Sequence, residues 1–361
     1  MCVRVGGAVT HPSSSLPAAA AVPTNTMPWL HRYSQLLAVF SLALVTAGGL
    51  VTSTGSGLAV PDWPSTYGYF MFSFPLSNMV GGILYEHGHR LIASVVGMLT
   101  IGLAVLISRV ETRRWLRRLG WIALAAVVTQ GLLGGITVLY FLPPAVSISH
   151  AGFAHLFFAL IVSLAVFTSP GWRAGYDRDP DSTRTIATDA VLRWLVVLAP
   201  ILVYVQILVG ATMRHTGAGL AIPDFPWAFG RLIPPVWDAL IATHFAHRVG
   251  AVVVTLVLLA TAGHVWTHRL LRRELQRPAW LLVVLVLVQF GLGAWTVLSE
   301  RAVAINTAHV ATGALLFATT IVLWLRVYRD RFTDSSDQAP ALVDRSWSTA
   351  VAARGAHGAG R

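Results

Sequence analysis

The sequence holds no lysine, a single cysteine and little charge of either sign. Charged residues fill 11% of its 361 positions, against about 25% in a soluble domain. With 55% hydrophobic residues, that deficit excludes an ordinary water-facing surface: apolar side chains must meet lipid as well as an interior. The lone cysteine, Cys2, excludes an intramolecular disulfide framework. The net charge of +11 would by itself suggest a polyanion partner. Yet all 26 basic residues are arginine, clustered between apolar runs. Membrane topology explains such clusters better than nucleic acid does, and no nucleic-acid partner is expected.

The first 26 residues lack the continuous apolar run of a signal peptide and read as a disordered tail, with Met27 an alternative start. The polar stretch after Arg331 reads the same way. Between them, apolar segments suited to membrane helices run near 34–52, 88–108, 119–140, 148–169, 190–212, 243–264, 279–298 and 304–327. Loops alternate in charge. Arg109, Arg113, Arg114, Arg117 and Arg118 follow span two, Arg173, Arg178, Arg184 and Arg193 follow span four, and Arg269, Arg272, Arg273 and Arg277 follow span six. The opposite loops hold few arginines, so both termini are expected in the cytoplasm of a cell whose inner membrane holds the chain.

The chain repeats. Thr54 to Pro64 (TGSGLAVPDWP) returns as Thr216 to Pro226 (TGAGLAIPDFP), and Gln130 to Leu139 (QGLLGGITVL) as Gln289 to Leu298 (QFGLGAWTVL). The expected fold is an all-α integral membrane protein, its eight transmembrane helices forming two parallel four-helix-bundle repeats about a pseudo-twofold axis along the membrane normal. The divisions are a tail 1–33, a half 34–170, a linker 171–189, a half 190–328 and a tail 329–361. Each repeat loop, with its Asp62 or Asp224, reads as a structural lid over an outward-opening site rather than as catalytic machinery.

Every even-numbered span carries a histidine near its start: His89, His150, His247 and His309. One such histidine is more often a capping or hydrogen-bonding residue than a ligand, but four at repeated positions point to paired axial ligands of haem. No cysteine or carboxylate completes a tetrahedral zinc set in either half. Helix N-termini would keep the imidazoles neutral and favour haem propionates, with Arg90 and Arg248 placed to pair with them; the alternative is that both snorkel to headgroups. Glu86 lies three residues before His89, whereas the second half has His244 there. A carboxylate beside one porphyrin alone suggests chemistry at that site, and a plain dipole-satisfying acid is an equal reading. His155 is about 140° around the helix from His150, and His87, His215, His264 and His268 lie near the surfaces, so none is assigned to iron.

Gly55 to Pro64, Glu86-His87-Gly88-His89-Arg90, His150-Ala151-Gly152, Thr216 to Pro226, His247-Arg248 and His309 resemble the haem A synthase family, over about Leu36 to Arg326. The resemblance implies oxidation of one methyl group of haem O to formyl, through two hydroxylations and loss of water. It implies haem O as substrate at His89 and His150, with Glu86 catalytic. It also implies a permanent bis-histidine haem B at His247 and His309, both sites toward the outer face. A haem O synthase and oxidase assembly factors are its implied partners alongside the bilayer, and a homo-oligomer is compatible with the sequence. Val60, Thr66, Ile222 and Ala228 stand near positions where some members carry cysteines, so the chain resembles the cysteine-free subgroup. The rival reading is a di-haem cytochrome b-type electron carrier; a transporter stands behind it, since it would not need four matched histidines.

Overall fold

Proline marks where two of the long helices start. Pro28 and Pro144 each occupy the first helical turn, where a missing N–H leaves no hydrogen bond unmade. In this computed structural model, which describes residues 27–174, 189–267 and 273–332, all the regular elements described are helical. The long ones are α1 (Pro28–Ser53), α2 (Gly82–Val110), α3 (Arg114–Leu139), α4 (Pro144–Thr168), α5 (Ala190–His215), α6 (Ala239–Thr267), α7 (Arg273–Leu298) and α8 (Val303–Val327). At about 1.5 Å per residue, 25 to 29 residues exceed the roughly 30 Å of a bilayer core. With eight such apolar helices among the described residues, the protein is a multi-pass membrane protein.

Several helices begin four to six residues before the apolar spans do. The apolar run alone undercounts them, because a helix satisfies its own backbone and carries polar turns such as Tyr85-Glu86 into the membrane edge. Residues 28–33 therefore belong to α1 rather than to a tail, with Leu30 fully buried. Pro170–Ala174 likewise forms a short helix within the expected linker. Residues 1–26, 175–188, 268–272 and 333–361, with Cys2, Arg178, Arg184, His268, Arg269 and Arg272, lie outside the described residues.

Each of α1 to α4 packs on the next and α4 closes back on α1; α5 to α8 close in the same order. The two rings meet where α8 touches α1 and α4, and where α4 touches α5. With lipid as the competing solvent, close packing of small residues replaces hydrophobic drive between helices. A Cβ on Gly49 would stand 3.3 Å from Val310, and one on Gly152 only 2.6 Å from Leu208. The central α4 and α8 are 56% buried over their apolar windows, twice any other span. Both large apolar clusters sit toward the end where the first and last helices begin and finish. One gathers Leu30, Leu37, Leu103, Ile107, Leu116 and Ile161; the other gathers Leu192, Val196, Leu258, Val265, Leu282 and Leu323. Aliphatic packing thus fills one end of each ring and leaves the other to different side chains.

At the packed end, Glu111 accepts from Arg113 at 2.9 Å and from Arg173 at 2.6 Å, while Arg113 also donates to the Phe167 carbonyl. This clamps the α2–α3 turn to the end of α4. Burial would raise the Glu111 carboxyl, but the hydrogen bonds and charges of Arg113 and Arg173 outweigh it and hold its pKa below 4.5. A depressed carboxyl contributes stability above its ordinary value and loses it as pH falls through the folded value. Glu111→Gln should cost about 1–3 kcal/mol in thermal unfolding of the detergent-solubilised protein at neutral pH. The gap to wild type should close as pH drops below the carboxylate range; a constant gap would mean the ion pairs contribute nothing.

Candidate functional site

The four histidines lie about two turns inside α2, α4, α6 and α8, not at the helix ends that the apolar spans implied. The dipole of a helix end fades within its first turn, so it does little for these rings. All four are half-buried, in the ends of the two rings that the aliphatic clusters leave free. The structure brings them together in pairs. The His247 and His309 ring centroids are 6.4 Å apart at an interplanar angle of 70°, and His89 and His150 lie within electrostatic reach of each other.

Each ring rests on a glycine of the preceding helix. A Cβ on Gly48 of α1 would stand 3.2 Å from Cε1 of His89, and one on Gly134 of α3 3.2 Å from His150. On Gly210 of α5 it would stand 2.9 Å from His247, and on Gly293 of α7 3.2 Å from His309. One turn before each seat comes Leu44, Gln130, Gln206 or Gln289. Gln206 Nε2 lies 3.1 Å from Nδ1 of His247 and donates to its carbonyl at 2.7 Å. Gln130 donates to the His150 carbonyl at 3.1 Å, and Gln289 Nε2 is 3.4 Å from Nε2 of His309. The backbone carbonyls of Leu44, Gln130 and Gln289 lie beside His89, His150 and His309. Nδ1 of those three is buried without a full hydrogen bond. These seats were missed by sequence reasoning although Gln130-x-x-x-Gly134 and Gln289-x-x-x-Gly293 sit inside the segments recognised as repeats.

The loops after α1 and α5 are built alike. Asp62 accepts from Tyr67 and Gly68 backbone N–H and from the Ser65 hydroxyl; Asp224 accepts from Phe229 and Gly230 N–H. Tyr67 and Phe229 turn at φ 49° and 58°, Gly68 and Gly230 at 79° and 71°. Partial burial opposes ionisation of Asp62, but those three donors hold its pKa at about 2. The Gly230 and Phe229 amides likewise keep Asp224 below its ordinary value. Both aspartates organise their own loops, and among the described residues their side chains accept hydrogen bonds from no other element.

Arg90 and Arg248 face these loops. Arg90 donates to the carbonyls of Val60, Asp62 and Ser65, and Arg248 to those of Ile222, Asp224 and Trp227, the same three places in each repeat. Arg90 also pairs with Glu86 at 2.6 Å, so four of its five donors are engaged; Nε of Arg248 is buried with no partner. Glu86, 3% exposed, accepts from Val60 N–H at 2.8 Å, and His244 accepts from Ile222 N–H at 3.2 Å. The backbone anchor is therefore common to both halves, and the negative charge belongs to the first alone. Trp63 lies over Gly135, where a Cβ would meet its ring at 2.5 Å; the second half has Phe225 and Ala294 at those places. Three other histidines have partners of their own: His155 its own helix at Ala151, His87 the Thr66 hydroxyl, His264 Asp189, while His215 lies within electrostatic reach of His150.

Two imidazoles bonded to one ion at about 2 Å stand roughly 6 Å apart, centre to centre, and the His247–His309 spacing meets that requirement. Among the described residues no group of three or more His, Cys, Asp or Glu side chains has the geometry to hold a metal. Each pair thus offers two nitrogens and no further side-chain ligand, the donor set of an iron whose other four ligands come from a porphyrin. A ring pushed off its glycine would lose that spacing. Gly293→Ala should therefore cut bound haem per purified chain severalfold, whereas Gly291→Ala, with nothing within 4 Å of its Cβ, should leave it unchanged. Equal haem content in both variants would remove the seat from the argument.

The chain matches the COX15-CtaA family model, described as a cytochrome oxidase assembly protein, over residues 69–321. A protein named heme A synthase from Symbiobacterium thermophilum is 34% identical over 280 residues, which is 76% of this chain and 81% of the relative. One of the same name from Shouchella clausii is 30% identical over 307 residues, 84% of this chain and 98% of the relative. A third, from Geobacillus kaustophilus, is 27% identical over 315 residues, 85% and 93%. The matched span takes in all four histidines with Glu86, Arg90 and Arg248, and the chain belongs to this family of cytochrome oxidase assembly proteins.

Proposed function

We propose that this protein is a haem A synthase with two unlike porphyrin sites. The half 34–170 takes haem O between His89 and His150, and the half 190–328 holds a haem B between His247 and His309. The reaction is oxidation of one haem O methyl group to formyl, by successive hydroxylations, for cytochrome c oxidase. The observation that carries this reading is the common seating of four histidines on four glycines, broken by one acid: Glu86 stands where the second half has His244.

The residues divide the work. The seats fix each imidazole, and the carbonyls of Leu44, Gln130 and Gln289 beside the rings orient them for metal, as partners of ligating histidines do. Glu86, held by Arg90, orients water or stabilises positive charge developing at the methyl carbon. Arg90 and Arg248 hold the loops that cover the porphyrin edges, and the unpartnered Nε of Arg248 is available to a propionate. Haem B, when bound, carries electrons between the first site and an acceptor outside the chain. The arginine clusters favour termini in the cytoplasm and both sites toward the outer face of the cell membrane. Haem O synthase and oxidase assembly factors are the partners this reading implies.

Haem extracted from the protein made with and without a haem O synthase tests the reaction. Haem B alone without the synthase, joined by haem A or its hydroxylated precursor with it, is the expected result. Two haem B per chain in both cases would instead favour the di-haem electron carrier. Replacing His247 or His309 by Ala should abolish bound haem B. Glu86→His imports the second half's own anchor for the loop, so folding and haem binding should persist while haem A formation falls roughly a hundredfold. Full activity in that variant would reduce Glu86 to an anchor.

A further inference from the structure

Arg214 stands one turn beyond Gly210, the seat of His247, so that Gln206, Gly210 and Arg214 share a stripe of α5. Its guanidinium reaches across to the other ring, donating to the Gly49 carbonyl at 2.7 Å and to the Ser53 hydroxyl at 2.6 Å. Gly49 packs on Val310, next to His309, and follows Gly48, the seat of His89. The cation therefore sits at the junction of the two sites, within electrostatic reach of His309. Another cation, Arg301 in the turn before α8, acts on it.

Among the described residues no carboxylate pairs with Arg214, and its Nε is buried without a partner. A guanidinium does not shed its proton. Inside a membrane bundle, a permanent charge with two neutral acceptors and a like charge nearby is costly unless an anion joins it. The open Nε leaves one donor for such an anion, on a guanidinium that already acts on His309. In the first half, Thr52 occupies the matching place, one turn beyond Gly48, and its hydroxyl bonds its own helix at Gly48.

We infer that Arg214 is an anion-binding residue of the second site besides Arg248, taking a carboxylate of the porphyrin held between His247 and His309. The first site, with Thr52 there, lacks that hold and lets its porphyrin exchange. This rests on the two-site reading above and adds to it a physical reason why one porphyrin stays while the other turns over.

The test uses the full chain, purified with its haem, in wild-type, Arg214→Gln and Arg214→Lys forms. Haem B transfer to apomyoglobin should be roughly tenfold or more faster in Arg214→Gln, the factor that about 1.4 kcal/mol represents. Its haem B midpoint potential should fall, because a nearby cation favours the ferrous form, and Arg214→Lys should recover the potential. Should Arg214→Gln fail to assemble, Arg214→Lys carries the test alone: potential kept, transfer faster than wild type because the planar fork is lost. Unchanged transfer and potential would overturn the assignment. Faster transfer with an unmoved potential would also overturn it, leaving Arg214 a clamp between α5 and α1. A potential that follows the anionic lipid content of the bilayer, in wild type but not in Arg214→Gln, would assign the anion to a lipid phosphate instead. Normal haem B in His247→Ala and His309→Ala controls would sink the two-site reading itself, whatever Arg214 does.

Discussion

A histidine ring whose Cε1 edge abuts a helix needs that helix to present no side chain there, and Gly48, Gly134, Gly210 and Gly293 meet the need four times. The contact fixes more than the ring. It sets the distance between odd and even helices at that depth, and it turns each imidazole inward toward its counterpart across the ring of helices. Space between the paired imidazoles then cannot be filled with aliphatic side chains without breaking the pairing. That is why the apolar clusters of Leu30 to Leu164 and Leu192 to Leu323 occupy the other end of each ring. Aliphatic packing is concentrated at one end, and the end that carries the histidines is kept in shape by glycine seats, glutamines and the loops.

The loops belong to the same constraint. An open end of a four-helix ring would admit lipid headgroups and water, and each loop is tied to its ring by an arginine one residue after His89 or His247. Arg90 and Arg248 hold carbonyls at the same three loop positions, and Asp62 and Asp224 fold the loops so that those carbonyls converge. A histidine and its loop staple are thus adjacent in sequence because one helical turn must face both the interior and its cover.

The eight helices, the histidines and the loop aspartates were legible in the sequence because each leaves a local mark: an apolar run, an ionisable residue in it, or a Gly/Pro-rich stretch repeated at a fixed interval. The depth of the histidines was not. Hydropathy counts apolar residues, while α2 and α6 begin with turns that are helical without being uniformly apolar, so His89 and His247 looked terminal when they lie two turns in. The direction of Arg90 was also hidden. A sequence shows it beside His89 but not that the chain folds back to offer it Val60, Asp62 and Ser65. Glycines in a membrane helix are common, and only the neighbouring helix reveals which of Gly131, Gly134 and Gly135 faces a ring.

What separates the two halves is a short set of exchanges laid on a common frame. Glu86 replaces His244 at an anchor that either can make, so the exchange changes charge and preserves geometry. Trp63 over Gly135 replaces Phe225 near Ala294, a larger ring traded against a smaller backbone position. Thr52 stands where α5 has Arg214. The first half therefore has one more buried acid, and the second one more buried cation, at the same end of the membrane. A carboxylate close to a porphyrin favours positive charge on its rim or metal, whereas a cation favours electron-rich states and retains the anionic edge. On the proposed two-site reading, these two substitutions would push the sites apart in both potential and residence time, the pair of properties by which a site that transforms its porphyrin must differ from one that keeps it.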